Sequence, residues 1–146
     1  METIKQVTIK SASAYGPVDY AYEDKLTLTS HGVSYELTPV IKDGHYKKCK
    51  WKYETTSAFF SRLFQKIAVA VNTHIIENNV SMNYIDAGVL EFIVVFSDKS
   101  KFERCITFYD EDFTSLLLLI DKAVPSIEEN RPVILENLFC ENSEED

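Results

Sequence analysis

Hydrophobic and polar positions alternate over several short stretches of the chain. Leu26 and Leu28 alternate with Thr27 and Thr29, and Val33, Tyr35 and Leu37 alternate with Ser34 and Glu36. A period of two is the mark of a strand with one buried face. Ser30-His31-Gly32 lies between the two runs, and a glycine there can take positive φ, so the pair reads as a hairpin ended by Pro39. Residues 3–10 alternate more weakly and read as a first strand, separated from the hairpin by a loop from Ser11 to Asp24. After the turn signal Asp43-Gly44, His45 to Glu54 alternates clearly. Cys49, Trp51 and Tyr53 share its inward face, and Lys48, Lys50 and Lys52 its outward face.

The period then changes. Phe60, Leu63, Phe64, Ile67, Val71 and Ile75 recur at steps of three and four, the stripe of an amphipathic helix. Thr55-Thr56-Ser57 supplies candidate N-caps, and Asn78-Asn79 is the expected end. Val89 to Phe96 has little polar relief beyond Glu91 and reads as a central strand buried on both faces. Asp98-Lys99-Ser100 turns the chain into a return strand carrying Phe102, Arg104, Ile106 and Phe108. Asp110-Glu111-Asp112 opens a second helix, where acidic residues suit the helix dipole. Its apolar face is Phe113, Leu116, Leu117, Ile120 and Val124, and Pro125 stops it. The two helices share one spacing, which any amphipathic helix on a sheet would show. Strands joined by short turns, with only two helices, predict an α+β fold: a two-layer sandwich, mostly antiparallel, of about six strands with both helices on one face.

Length and charge narrow the picture. The 146 residues fit a single domain over residues 1–139, with an apolar patch at Val133–Phe139 that docks and an acidic, disordered tail over residues 140–146. The formal net charge is −8, which argues against a general nucleic-acid binder. No apolar run approaches the ~20 residues that span a bilayer, and the first residues lack the pattern of a signal peptide. A cytoplasmic protein without membrane contact is expected.

Reactive chemistry is sparse. Cys49, Cys105 and Cys140 are widely spaced and form no metal or redox motif, and the two in strands read as small buried thiols. The four glycines are too far apart for a phosphate loop. His31, His45 and His74 have no partner that spacing can place, and His45 and Cys49 lie ~13 Å apart along a strand. The carboxylate pairs Glu23/Asp24 and Asp110/Asp112 show nothing that would separate their pKa values. The expectation is therefore a protein without catalytic residues, metal or cofactor.

Charge placement says more. Residues 1–55 carry a net +1 and residues 56–146 a net −9, with acids gathered at Asp110–Asp112, Glu128-Glu129 and the tail. Such a field steers basic partners inward, although acidic surfaces also serve solubility alone. The lysine stripe, with Lys47, either contacts an anion or guards an edge strand against aggregation. Tyr15, Tyr20 and Tyr22 beside Gly16-Pro17 either form an interaction surface or fold back onto the sheet.

Two stretches carry a resemblance: Ser11-Ala12-Ser13-Ala14-Tyr15-Gly16-Pro17-Val18 before the hairpin, and Phe96-Ser97-Asp98-Lys99-Ser100-Lys101-Phe102 before the second helix. In general layout they resemble small acidic bacterial proteins of unassigned function, some of them similar to immunity proteins of toxin systems. The resemblance transfers no functional residue. With the charge it implies a non-enzymatic binding protein, an immunity-type inhibitor that meets a basic toxin domain through Asp110, Glu111, Asp112, Glu128 and Glu129. One alternative is a small-molecule or peptide sensor with a cleft near Tyr15, Tyr20, Trp51 and the lysines. Another is a structural homodimer formed through an edge strand or the Val133–Phe139 patch.

Overall fold

The strand periodicities resolve into one six-stranded sheet in a computed structural model that describes residues 3–12, 21–41, 48–77, 89–106 and 111–125. The strands are β1 (Ile4–Ala12), β2 (Tyr22–Thr29), β3 (Gly32–Pro39), β4 (Cys49–Glu54), β5 (Val89–Phe96) and β6 (Lys101–Ile106). Helix α1 (Ala58–Val71) follows β4 and runs into a π-helical turn, Asn72–Ile76, while α2 (Glu111–Asp121) follows β6. The order across the sheet is β4-β3-β2-β1-β5-β6, and every pairing is antiparallel. This is the expected α+β two-layer sandwich.

Register sorts the side chains into two faces. Val7 and Ile9 of β1 oppose Leu28 and Leu26 of β2, which oppose Val33 and Tyr35 of β3. Phe92 and Val94 of β5 continue the same face, and all eight are buried. Phe60, Leu63, Phe64, Ile67, Val71 and Ile75 from the first helical segment join them in one core, with Leu116, Leu117, Ile120 and Val124 from α2 and the turn after it. Ser57 caps α1, its hydroxyl accepting from Phe59 N at 3.2 Å. At the far end the Arg104 guanidinium lies over the Phe102 ring and donates to the carbonyl of Ile75. It thereby ties β6 to the π turn, where a cation suits the negative end of the helix dipole.

Several expectations are corrected. Ser11, Ala12 and Tyr22 to Asp24 belong to strands, so the expected loop from Ser11 to Asp24 is shorter, and Tyr22 packs against the core. Strand β5 is buried on one face only: Phe92 and Val94 point inward, whereas Glu91, Ile93 and Val95 are half-buried on the other side. Gly32 does not take positive φ. Its need for glycine is steric, because a Cβ would stand 2.3 Å from the Tyr53 carbonyl oxygen of the adjacent strand. Strand β4 begins at Cys49 and leaves Lys48 outside it. Helix α2 ends at Asp121, before Pro125, closing in a turn where Ala123 N donates to Ile120 O at 2.9 Å. Cys49 and Cys105 are half-buried, not buried. The Asp43-Gly44 turn, His45, Phe108, Asn78-Asn79, the Val133–Phe139 patch and residues 140–146 lie outside the described residues.

In the β5–β6 connection, Ser97 to Ser100, Lys99 N donates to Phe96 O at 2.9 Å. Lys99 sits at φ 72°, the left-handed position that glycine usually fills in such turns. The Asp98 carboxylate accepts from both the backbone N–H and the hydroxyl of Ser100. Those bonds hold its pKa below the ordinary carboxylate value.

Candidate functional site

The second face of the sheet is where the polar halves of the strand patterns converge. Both helices pack on the core face, and among the described residues no helix covers the other. Cross-strand register builds this open face in rows. One row runs Ser34, Thr27, Thr8 across β3, β2 and β1, three hydroxyl side chains in adjacent strands. Strands lie about 4.8 Å apart, so the hydroxyls span roughly 10 Å. Thr8 and Thr27 place their Oγ1 atoms 3.4 Å apart, and Gln6 Nε2 lies 3.5 Å from Thr8 Oγ1. The next row runs Lys50, Glu36, Lys25, Lys10, Glu91, Cys105. Lys10 and Lys25 are direct cross-strand partners in the interior of the sheet, a like-charge pairing that is locally unfavourable.

Three depressions are lined by described residues. One, about 890 Å3, lies at the hairpin end, and its one lysine and one glutamate already pair: Lys52 Nζ meets Glu54 Oε1 at 2.7 Å. That contact lowers the Glu54 pKa, first by the hydrogen bond and then by the charge of Lys52. A second, about 540 Å3, lies at the opposite end and mixes Lys10 and Lys25 with Glu23, Glu36 and Glu91. The central depression, about 610 Å3, has the hydroxyl row as its floor. Five lysines surround it, Lys10, Lys25, Lys50, Lys52 and Lys101, against the one glutamate Glu36. All five lysines are exposed, Ser34 and Thr27 are half-buried, and Thr8 is buried. Hydroxyls below and ammonium groups around are donors without exception or can act as donors, so the arrangement suits oxyanions.

On the core face beneath this end lies a buried polar cluster. Asp24 is 4% exposed and accepts from the hydroxyls of Ser11 and Tyr35, the latter at 2.8 Å. Tyr35 in turn packs on Trp51, with ring centroids 5.7 Å apart. Extending the Leu26–Leu28 alternation back by two places Asp24 inward, a signal the loop reading of Ser11 to Asp24 passed over.

Of the residues expected to bind a partner, only Tyr22, Glu111 and Asp112 lie among the described residues. Glu111 and Asp112 lie in the first turn of α2, consistent with the dipole argument. Asp110, Glu128, Glu129, Tyr15 and Tyr20 lie outside the described residues, and Tyr22 packs on the core. The lysines divide: Lys50 and Lys52 stand on the edge strand β4, whereas Lys10 and Lys25 stand in the sheet interior. Among the described residues no group of His, Cys, Asp and Glu could hold a metal ion, and no helix is long and apolar enough to cross a membrane. Cys105, opposite Glu91, has its thiol pKa raised by burial and by the charges of Glu91 and Glu103, which disfavours a nucleophilic thiolate. No protein-family model matches the sequence, and no curated protein matches it.

Proposed function

We propose that this is a non-enzymatic binding protein and that the open face of its sheet is the binding surface, with an anionic occupant over Ser34, Thr27 and Thr8. One observation carries the reading. A chain of net charge −8 surrounds a single depression with five lysines and one glutamate. Edge protection accounts for lysines on β4, but Lys10 and Lys25 occupy interior strands where no edge needs guarding. Glu36 opposite Lys25 and Glu91 opposite Lys10 offset part of their repulsion in the free protein, and an anion placed between the two lysines offsets the rest.

A second reading rests on the division of charge, net +1 over residues 1–55 and −9 over residues 56–146. Here the C-terminal half contacts a basic toxin domain as an immunity-type inhibitor, through Asp110, Glu111, Asp112, Glu128 and Glu129. The two readings recruit partners of opposite sign. Immobilised wild-type protein and a Lys10→Gln/Lys25→Gln/Lys50→Gln variant are each exposed to native lysate and washed at low and high salt. Material eluted is identified by mass spectrometry. An anionic occupant present on the wild type and missing from the variant supports the sheet-face reading. A basic protein held equally by both, and released by salt, overturns it in favour of the second.

A further inference from the structure

Resting on the sheet-face reading, we infer that the occupant of the central depression is a small soluble ligand bearing two or more phosphoryl groups. The depression is the size of a small-molecule site. Its lining residues Lys10, Lys25, Lys50, Lys52, Lys101 and Glu36 sum to a charge of +4, of which Lys52 is already paired with Glu54, leaving about +3 for a ligand. A phosphoryl group carries about −1.5 to −2 at neutral pH, so two of them match that charge within one compact molecule. Carboxylates on a peptide are more spread out. An extended peptide presents only alternate side chains to one face, about 6.6 Å apart, so three carboxylates need roughly 13 Å of strand.

The donor types agree. A phosphoryl group directs three oxygens around its axis, so it can accept from the Thr27 and Ser34 hydroxyls beneath and from ammonium groups beside it. Lysine serves such groups as a point charge, whereas arginine would add bidentate geometry to phosphate and carboxylate alike. The described arginines, Arg62 and Arg104, lie on α1 and on the core face of β6, away from this floor. Two aromatic residues, Tyr35 and Trp51, also line the depression, but the register turns both toward the core face, where their rings pack on each other, so they offer no platform for stacking a base on the open face.

The test is isothermal titration calorimetry of the full chain with inorganic tripolyphosphate, and separately with hexaglutamate. Four proteins are compared: wild type, Lys10→Gln/Lys25→Gln, Thr27→Val, and the charge-matched control Lys66→Gln/Lys122→Gln. Circular dichroism confirms that each is folded. Tripolyphosphate binds the wild type at one per chain, more tightly than hexaglutamate. The lysine variant weakens it about tenfold or more, the value of one charge-assisted hydrogen bond. Thr27→Val also weakens it with net charge unchanged, and the control does not. Hexaglutamate bound as tightly as tripolyphosphate, with both weakened by Lys10→Gln/Lys25→Gln, overturns the phosphoryl assignment and leaves the sheet-face reading standing. Binding of neither probe, or equal weakening by the control, overturns both.

Discussion

Removing one oxygen atom, in Tyr35→Phe, tests how the interior end of the sheet is held. The Tyr35 ring is 2% exposed and stays packed on Trp51 after the change, so no cavity opens. What is lost is the hydroxyl that donates to Asp24 Oδ2 at 2.8 Å in a site where Asp24 is 4% exposed. Hydrogen bonds to a charged group are worth about 1.5–3 kcal/mol, and water does not readily replace a donor at a buried oxygen. At about 2–4 °C per kcal/mol for a chain of this size, the midpoint of thermal unfolding falls by roughly 3–12 °C. The assay is unfolding followed by circular dichroism and by the fluorescence of Trp51, the one tryptophan of the chain. Because Ser11 donates to the other oxygen of the same carboxylate, Ser11→Ala and Tyr35→Phe together depart from additivity. A loss under about 0.5 kcal/mol for Tyr35→Phe, the level of an ordinary surface substitution, refutes the reasoning.

Other substitutions probe the frame of the open face. Gly32→Ala drives a Cβ against the Tyr53 carbonyl and lowers stability by about 1–3 kcal/mol in denaturant melts; a neutral result contradicts the close approach. Lys99→Gly relieves a left-handed residue and raises stability by about 1 kcal/mol in the same melts. The lowered pKa of Asp98 gives a stabilising contribution present above the ordinary carboxylate pKa and lost as pH falls through its folded value; Asp98→Ala removes that acid-range slope, as pH-dependent melts will show. The raised pKa of Cys105 slows its alkylation at pH 8, and Glu91→Gln with Glu103→Gln speeds it, read by mass-spectrometric labelling rates.

Much of the sheet was legible because its strands obey a strict period of two. The hairpin of β2 and β3 follows directly from it, as does the shared face of Cys49, Trp51 and Tyr53, although Cys49 and Trp51 are only half-buried there and Tyr53 is exposed. The first helical stripe is legible from its steps of three and four, and its six apolar residues are all buried. Failures fall where a local rule meets a long-range one. Asp24 reads as a loop acid because carboxylates are rarely buried, yet hydroxyls from two other strands satisfy it. Gly32 suggested a turn conformation, but the demand comes from the backbone of β4, twenty-one residues later. The candidate site was half legible. Lys50 and Lys52 stand out as a stripe, whereas Lys10 and Lys25 join them only once β1 is paired with β2, a register no local pattern specifies.

The central claim, that the open face binds an anion, is tested most directly by backbone amide NMR during a titration with tripolyphosphate. Saturable shifts centred on Lys10, Lys25, Thr27 and Ser34 are expected, with α1 and α2 unmoved and the effect shrinking as salt rises. Shifts centred on the helices, or none across the open face, would contradict it.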